Sequence, residues 1–504
     1  MDSLHYIWEL DTMARAIHYN SDPANPPFLA QNFIEGKFLD LEHTPEWINS
    51  VCPRSGNLLM EVPVSPENVV DYAVTVADQA FKAWSTTTPQ QRSELLLRIA
   101  YLLEYKKDMF TVWESITQGK KLARAQFEVD CSIEQFRYFA KFILQDETSA
   151  AHVNRGVEET TLTFEHRVPV GVYALITSSN MPLYLLTSQI AACLAFGCTG
   201  VAKPSEHTSM TAFMFARVLH DAEVPPGVMN IIFGNGSVTG ASLVASPLVK
   251  GVSFNGSNLT AIQIRQNTAA DIHKRLSFEL RGNSPVLVFG DVDVDDAVST
   301  AAGAAFNNTG QLCLSGSRIY VHRSIYNMFV AKLVRHVRDY YWAARDLGPV
   351  VSLEHYNRVR AHLIQAREMC ASFEIGSIPP VNPARGFWIH PTVLTNVPTN
   401  SALAHAEIFG PVTIVYQFEA EDEVIELCND NLNGKGAVVL THDLSRMRRI
   451  GESLDADLTW GNCSLGRELG AGLNDTKASG VGKEGGERAR DAFTRIRRVH
   501  LPAY

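Results

Sequence analysis

One cysteine, Cys313, stands in the stretch of the chain whose residue types are best suited to chemistry. It follows Gly310 and Gln311 at the end of a helical run and enters a turn of small residues. A lone cysteine is usually a small buried residue, and it acts as a nucleophile only with charge or hydrogen-bond support and a base nearby. Glu279 is a candidate base, because it ends an apolar strand where an unused carboxylate is costly. From these residues alone, Cys313 could be either structural or catalytic.

Two further regions could bind a nucleotide. The glycine-rich segment 234–240 leads into a helix and could seat a phosphate at the helix N-terminus, although a flexible loop is an equal alternative. Gly256 and Ser257 open the next helix and form a second candidate anion seat. Lys203 and Glu206 lie three residues apart at a strand end, where a cation and a carboxylate could bind the two hydroxyls of a ribose. An exposed charge pair is the alternative for these two residues.

No metal site is predicted. His405 and Glu407 stand two residues apart, but the second histidine of a zinc motif is missing. No cluster of histidines, cysteines and carboxylates has the spacing of metal ligands, so we expect the chemistry to proceed without a bound metal.

Short apolar strands separated by helical stretches must position these residues. This alternation predicts an α/β fold with doubly wound parallel sheets. Ligands bind such sheets at the carboxyl ends of the strands, which is where the polar and glycine-rich segments stand. The predicted strands form two series, one at 171–177, 199–203, 229–233, 250–254 and 275–279, the other near 286–289, 317–321, 412–418 and 436–440.

Local signals predict three further elements. Ser65 and Pro66 indicate the start of a helix, with the serine as its N-cap and the proline in its first turn. A second helix is predicted from Thr88 to beyond Phe110. Residues 157–170 alternate between apolar and polar types and predict a β-ribbon.

Composition and charge narrow the class of protein. Of 504 residues, 46% are apolar and 19% are charged, which is typical of a globular chain and excludes wholesale disorder. Lys and Arg total 44 against 54 Asp and Glu, a net charge of −10, so no nucleic-acid partner is predicted. The eight cysteines include no Cys-x-x-Cys pair, which predicts reduced thiols in a cytoplasmic protein.

The run from Val168 to Ala202 carries no charge, and Leu183–Ala202 within it is apolar enough to suggest a membrane span. It includes Thr187, Gln189 and Gly197, and a buried helix followed by a buried strand fits it better. The first 20 residues include Asp2, Glu9 and Asp11 and lack the basic start of a secretory signal. They hold only one arginine, which is too few for a mitochondrial presequence. We therefore predict a cytoplasmic protein with no membrane partner.

Seven short motifs follow one another along the chain. They are Asn180 before Met-Pro-Leu, Lys203-Pro-Ser-Glu206, Phe254-Asn-Gly-Ser257, Phe278-Glu-Leu280, Gly310-Gln-Leu-Cys313, Glu407-Ile-Phe-Gly-Pro-Val412 and Trp460-Gly-Asn462. In these motifs and their order the chain resembles the NAD(P)-dependent aldehyde dehydrogenases, from about Gln31 to the C-terminus. Three longer segments, Pro182–Thr187, Trp460–Leu469 and Lys477–Gly485, give a closer resemblance to the 2-aminomuconate and 2-hydroxymuconate semialdehyde dehydrogenases.

The resemblance implies three catalytic residues. Cys313 would attack the aldehyde carbon and form a thiohemiacetal, whose oxyanion the Asn180 amide and the Cys313 backbone N–H would hold. After hydride transfer to the cofactor, Glu279 would activate a water molecule that hydrolyses the resulting thioester.

The resemblance also implies NAD as the cofactor. Lys203 and Glu206 would hold the adenosine ribose, and a carboxylate at position 206 would repel the 2′-phosphate of NADP. Glu407 would hold the nicotinamide ribose, with Phe409 packed beside it. The other cofactor-binding positions implied are Ile176, Gly236, Gly256 and Ser257.

The narrower group implies an acidic substrate. In that group an arginine near the position of Arg467 grips the distal carboxylate of the semialdehyde, and a guanidinium can bind a carboxylate with two parallel hydrogen bonds. Arg124 is a second candidate grip. An exposed surface arginine, neutralised by Glu468, is the alternative for Arg467.

Several positions depart from the family pattern. Arg281 replaces a glycine that lets backbone lie close to the nicotinamide, so the long cation could obstruct the cofactor or bind an acidic group. The other departures are Ser178-Ser179 in place of Pro-Trp, Asn255 in place of Thr, Asn433-Gly-Lys-Gly436 in place of an aromatic-Gly-Leu-Ala run, Leu473-Asn-Asp475 in place of Phe-Gly-Gly, and a shortened stretch at 340–352.

The resemblance divides the chain into three parts. Residues 20–147 and 171–281 are expected to form the NAD-binding domain, and residues 282–480 the catalytic domain. Residues 148–170 and 488–504 are expected to form an oligomerisation ribbon that makes a homodimer or homotetramer.

The predicted function is the oxidation of a small carboxylate-bearing semialdehyde to the acid with NAD. The loop departures keep one alternative open, a catalytically weakened relative with a binding role. A third hypothesis is a thioester-forming or reductive relative.

Overall fold

A computed structural model describes residues 27–39, 46–145, 149–155, 160–343, 347–463, 466, 468–474 and 476–502. Within these ranges the strands form two seven-stranded and two three-stranded sheets. The strands are β1 Phe28–Leu29, β2 Phe33–Ile34, β3 Lys37–Phe38, β4 Trp47–Val51, β5 Leu58–Pro63, β6 Ser149–Arg155, β7 Thr160–Pro169, β8 Val172–Ile176, β9 Thr199–Lys203, β10 Met229–Ile231, β11 Val249–Asn255, β12 Arg275–Glu279, β13 Pro285–Val288, β14 Arg318–His322, β15 Ser372–Ile375, β16 Thr392–Thr395, β17 Val412–Phe418, β18 Gly436–Leu440, β19 Leu458–Gly461 and β20 Thr494–Pro502.

The helices connect and cover these sheets. They are α1 Glu67–Trp84, α2 Pro89–Tyr105, α3 Lys107–Gln118, α4 Leu122–Gln145, α5 Pro182–Ala195, α6 Met210–Asp221, α7 Ala241–Ala245, α8 Asn258–Asn267, α9 Val294–Phe306, α10 Tyr326–His336, α11 Leu353–Glu368, α12 Ala402–His405, α13 Glu421–Asn429, α14 Leu444–Ser453 and α15 Gly486–Phe493.

The first seven-stranded sheet has the order β12-β11-β8-β9-β10-β2-β3, and its first five strands are parallel. These are the five strands of the first predicted series. The chain runs outward from β8 through β9 to β10 and then returns to the other side of β8 with β11. The strand order therefore reverses between β8 and β11, and a ligand crevice is expected outside the carboxyl ends of these two strands.

The second seven-stranded sheet has the order β15-β16-β17-β14-β13-β18-β19, and all its pairs except β15-β16 are parallel. It includes the four strands of the second predicted series. The doubly wound α/β fold predicted from the sequence is thus confirmed. The strands β15, β16 and β19 are additional to the prediction, because they are short and carry no long apolar run.

The two sheets meet along a short seam near the end of β12. The backbone N–H of Leu280 donates to the carbonyl of Ser479 at 2.8 Å, and the N–H of Val481 donates to Phe278 at 3.1 Å. Glu279 and Gly480 form an isolated antiparallel bridge between these bonds. The seam brings the carboxyl end of the first sheet against loops that follow the second.

A separate three-stranded sheet has the order β20-β7-β6 and is antiparallel throughout. β7 occupies most of the ribbon predicted at 157–170. Its partner β20 pairs with it over nine residues, from Thr494 opposite Pro169 to Pro502 opposite Thr161.

Two helix predictions need correction. Ser65 does not cap α1, because its hydroxyl is hydrogen-bonded to the side chain of Asn32 and the helix begins at Glu67 after Pro66. The helix predicted from Thr88 to beyond Phe110 is two helices. Thr88 caps α2 as its sequence suggests, but the chain leaves helical geometry at Lys106 before α3 begins.

The uncharged run from Val168 to Ala202 contains a buried helix and a buried strand, α5 and β9. Among the described residues, no helix is both long enough and apolar enough to cross a membrane.

Candidate active site

The backbone before Cys313 is held in an unusual conformation. Asn308, Thr309 and Gly310 have φ values of 51°, 60° and 68°. This left-handed backbone conformation is energetically costly for residues other than glycine. A Cβ on Gly310 would stand 2.1 Å from the carbonyl oxygen of Gly410, so only glycine fits. This turn presents the half-buried Cys313 just before β14, on the side of the second sheet where its parallel strands begin.

Asn180 lies beside this turn. It follows β8, and its side-chain amide donates to the carbonyl of Gln311 at 2.9 Å. The Asn308 amide donates to the Asn180 carbonyl at 3.0 Å, and the Ser178 hydroxyl donates to Asn180 Oδ1 at 2.6 Å. These bonds fix the orientation of the Asn180 amide, which keeps its NH₂ group directed at the cysteine turn.

A buried ionic network supports Asn180 from behind. The ammonium of Lys120 donates to the Asn180 carbonyl at 3.1 Å, pairs with Glu128 and lies 3.9 Å from Glu114. Burial raises the pKa of Glu114 to about 7, although the nearby Lys120 lowers it. The Glu114 carboxylate accepts hydrogen bonds from the backbone of Leu183 and from the hydroxyl of Thr211, so it also ties α5 and α6 to α3.

Glu279 is the last residue of β12, and its side chain is buried. The backbone N–H of Gly256 donates to the Glu279 carbonyl, which places the carboxylate next to the loop after β11. One carboxylate oxygen accepts a hydrogen bond from the ammonium of Lys435 at 2.6 Å. The site thus contains a buried carboxylate paired with a buried cation.

Glu407 contacts the loop that follows β12. Its carboxylate accepts a hydrogen bond from the backbone N–H of Gly282 at 2.9 Å, and Arg281 Nε lies 3.5 Å away. Burial raises the pKa of Glu407 to about 7, partly offset by this hydrogen bond and by Arg281 and Lys435. A Cβ on Gly282 would stand 1.8 Å from the Cys313 carbonyl oxygen, so Glu407, Gly282 and the cysteine turn are packed together.

Phe409 is held two residues beyond Glu407 with a φ of 56°. His355 of α11 donates a ring N–H to the Phe409 carbonyl at 2.6 Å, and the two rings stack with centroids 5.5 Å apart. Burial lowers the pKa of His355 to about 3, so this histidine is neutral and acts as a fixed donor.

Lys203 and Glu206 lie at the carboxyl end of β9, as predicted. The Lys203 ammonium donates to the carbonyls of Pro204 and Gly234 and lies 3.6 Å from the Glu206 carboxylate. Burial lowers the pKa of Lys203. Burial alone would raise the pKa of Glu206, but the Lys203 charge and hydrogen bonds outweigh it and hold that pKa below its ordinary value. Glu206 is therefore an anion that can accept hydrogen bonds from a diol.

The remaining predicted cofactor positions surround the same crevice. Ile176 ends β8 opposite Phe254 of β11, and Ser257 accepts a hydrogen bond from the Thr260 N–H as the N-cap of α8. A Cβ on Gly256 would stand 2.3 Å from the Phe254 ring, so this glycine is required by packing. Gly236 has nothing within 4 Å of its Cβ position and borders open space.

The structure describes one of the two arginines that are predicted to bind the substrate. Arg124 Nε donates to the buried Glu128 at 3.0 Å, and its guanidinium lies over the Phe127 ring. This pairing joins Arg124 to the network behind Asn180. Arg467 lies outside the described residues.

Three contributors to the site have no functional role in the sequence prediction. They are Lys435, Lys120 and Ser178, which contact Glu279 and Asn180. Ser178 and Lys435 fall at departures from the family pattern, and these departures are the sequence signal that could have pointed to them. Among the described residues, no group of three or more histidines, cysteines and carboxylates could hold a metal ion.

Comparison with known proteins agrees with this arrangement. Residues 40–499 match the model of the aldehyde dehydrogenase family. The 2-aminomuconic semialdehyde dehydrogenase of Bos taurus is 38% identical over 483 residues, which cover 94% of this chain and 98% of that protein.

Solved structures agree as well. HpcC from Thermus thermophilus superposes with a TM-score of 0.90 and 33% identity, covering 98% of this chain and 96% of its own. An NAD⁺ complex of aldehyde dehydrogenase from Bacillus cereus superposes with a TM-score of 0.89 and 29% identity, covering 94% and 97%. The chain is therefore a member of the aldehyde dehydrogenase family and an enzyme of aldehyde oxidation.

Proposed function

We propose that this chain oxidises a small acidic semialdehyde to the carboxylic acid with NAD, through covalent intermediates at Cys313. The observation that supports this most directly is the Asn180 amide, which donates to the Gln311 carbonyl at 2.9 Å and so lies beside the cysteine turn. An amide N–H in this place can receive the negative charge that develops on an aldehyde oxygen when a thiolate attacks its carbon.

The chain's residues then act in sequence. Cys313 Sγ bonds to the aldehyde carbon, and the oxyanion of the thiohemiacetal accepts hydrogen bonds from the Asn180 amide and the Cys313 backbone N–H. When bound, NAD would supply the acceptor for the hydride of this carbon, and a thioester would then remain on Cys313. Glu279 takes a proton from water as the water attacks the thioester, and the C–S bond breaks to release the acid.

The crevice between β8 and β11 fits NAD. Lys203 and Glu206 present a buried ammonium and an anionic carboxylate side by side, a pair suited to the two hydroxyls of the adenosine ribose. The Glu206 charge disfavours a 2′-phosphate at the same place. Glu407, with Phe409 beside it, would hold the nicotinamide ribose. Ile176, Gly236, Gly256 and Ser257 would complete the cofactor site.

The acidic substrate is supported by the likeness to 2-aminomuconic semialdehyde dehydrogenases, at 38% identity over 94% of the chain. Arg467 would bind the distal carboxylate. Arg124, already paired with Glu128, would contribute less.

The proposal extends to organisation. Residues 20–147 with 171–281 would bind NAD, residues 282–480 would supply the catalytic cysteine, and residues 148–170 with 488–504 would join subunits into a homodimer or homotetramer in the cytoplasm. The antiparallel pairing of β20 with β7 supports the last assignment.

One observation favours a second candidate, a weakened enzyme with a binding role. Arg281 lies 3.5 Å from Glu407, the carboxylate that would bind the nicotinamide ribose. In such a protein the Glu407 carboxylate would stay paired with Arg281. NAD would then bind without efficient turnover, because its nicotinamide ribose would lack this partner.

An aldehyde panel separates the two candidates. Purified protein is mixed with NAD and with acidic semialdehydes or neutral aldehydes of matched length, and NADH formation is followed by absorbance. The proposed function predicts turnover with the highest kcat/KM for acidic members. NAD binding by calorimetry, with no NADH from any aldehyde, would support the weakened enzyme instead.

A further inference from the structure

Lys435 and Glu279 form an ion pair within the candidate active site. Lys435 Nζ lies 2.6 Å from Glu279 Oε2, and the two side chains are only 1% and 5% exposed. Two buried charges at this distance form a strong interaction, because little water is present to screen it. The partners are 156 residues apart in the sequence and come from different sheets.

The backbone around Lys435 is fixed from both sides. The N–H of Gly434 donates to the Ser479 hydroxyl at 3.0 Å, and that hydroxyl donates to the Arg281 carbonyl at 2.8 Å. Directly after Lys435, β18 enters the second sheet. These hydrogen bonds and the strand therefore hold the backbone that places the Lys435 ammonium next to Glu279.

Lys435 also lies close to the cysteine turn. The point where a Gly282 Cβ would stand is 1.8 Å from the Cys313 carbonyl oxygen and 3.5 Å from Lys435 Cβ. The Lys435 charge reaches Glu407 as well, whose pKa it lowers. One buried ammonium thus pairs with the candidate base and also acts electrostatically on Glu407.

The surroundings of Glu279 make this cation important. Among the described residues, the charged or titratable groups around this pair include Glu407 with Arg281, Cys313, whose backbone packs near Lys435, and Glu484, which accepts a hydrogen bond from Asn255 opposite Glu279 in the sheet. Burial and neighbouring carboxylates both disfavour a charged carboxylate, and an adjacent cation opposes them.

We propose that Lys435 is a positioning residue that holds the Glu279 carboxylate in its anionic form, ready to accept a proton from the hydrolytic water. This inference rests on the proposed function, because it assigns Lys435 to the hydrolysis of the thioester at Cys313. Lys435 does not touch the substrate. It acts through Glu279, and it affects the second half of the reaction more than the first.

The test measures acylation and deacylation separately. The full-length enzyme is acylated with p-nitrophenyl acetate without NAD, and the release of nitrophenol and the later loss of the acyl group from Cys313 are timed between pH 5.5 and 9. The variants are Lys435→Met, which removes the charge at similar length, and Lys435→Arg, which retains it. Lys435→Gln removes the charge but keeps a hydrogen-bond donor, and it is the variant to use if Lys435→Met does not fold.

The expected change is confined to deacylation, the step in which Glu279 acts as the base. In Lys435→Met or Lys435→Gln the acidic limb of the deacylation profile moves up by about one pH unit or more, and deacylation at pH 7 slows roughly tenfold, while acylation changes by less than about threefold. Lys435→Arg, which retains the charge, keeps the acidic limb of the deacylation profile at its wild-type pH. A deacylation profile that superimposes on that of the wild type, or equal losses in both steps that arginine does not rescue, would overturn the proposal.

This assay is independent of aldehyde oxidation. If the wild-type enzyme oxidises no aldehyde with NAD, the proposed function fails, yet the hydrolysis of the acetyl group still reports on the Lys435–Glu279 pair. If aldehydes are oxidised and the deacylation limb does not move, the proposed function stands and the role of Lys435 falls.

Discussion

At the scale of single residues, the site is a set of polar groups whose orientations are determined by their immediate partners. Asn180 is oriented by Ser178 and Gln311, Glu279 by Lys435, and Glu407 by Gly282 and Arg281. Each functional group therefore has a fixed direction before any ligand arrives, which lowers the cost of reorganisation during the reaction.

A residue-scale prediction concerns Arg467. If its guanidinium binds the substrate carboxylate, Arg467→Ala should cost about 2–4 kcal/mol in kcat/KM for an acidic semialdehyde, because one charge of the pair is left unmatched. Steady-state kinetics of the variant and the wild type on matched acidic and neutral aldehydes measure this.

The neutral aldehyde is the control, and its kcat/KM should change little. Equal losses on both substrates would show that Arg467 has a structural role, and the acidic substrate would lose its support.

At the scale of elements, the cysteine turn depends on three consecutive left-handed residues. Gly310→Ala should destabilise it by more than the roughly 1–2 kcal/mol that a left-handed alanine costs, because the new Cβ would also meet the Gly410 carbonyl at 2.1 Å. The matched control is Gly56→Ala, at a φ of 81° with nothing closer than 3.9 Å.

Thermal unfolding and the rate of Cys313 alkylation by iodoacetamide compare the two variants. Gly310→Ala should lower Tm further and change the alkylation rate, whereas Gly56→Ala should leave the alkylation rate unchanged. Identical behaviour of the two would mean that the turn does not depend on close packing at Gly310.

The elements also show what sequence can predict. The central parallel strands such as β8 and β9 are predictable because strands buried on both faces are continuous apolar runs. The break at Lys106 escapes prediction, because it interrupts a helical pattern without a proline or glycine. The pairing of Lys435 with Glu279 is beyond sequence reasoning, because it depends on how two sheets pack.

At the scale of the whole molecule, two parallel sheets share one cleft, and a ribbon extends beside them. The ribbon exposes apolar side chains, Phe164, Ile496, Val499 and Leu501, each about 40% exposed or more. Strand β20 is at the edge of its sheet, where an unpaired strand edge can join another chain.

This arrangement predicts a homodimer or a tetramer built from dimers. Light scattering at micromolar concentration should give at least twice the mass of one chain. Val499→Lys should shift the mass toward that of a monomer, because a charge would be buried at the interface. A monomeric wild-type protein would contradict the assignment of the ribbon.

In the proposed mechanism Cys313 holds the acyl group that Glu279 helps to hydrolyse. The most direct test is to mix Glu279→Gln with NAD and an acidic semialdehyde, quench within seconds, and determine the mass of the peptide that contains Cys313. We expect a burst of about one NADH per chain and an acyl group on Cys313 that persists, and no such adduct in Cys313→Ser. Sustained NADH formation without an adduct, or an adduct on another residue, would contradict it.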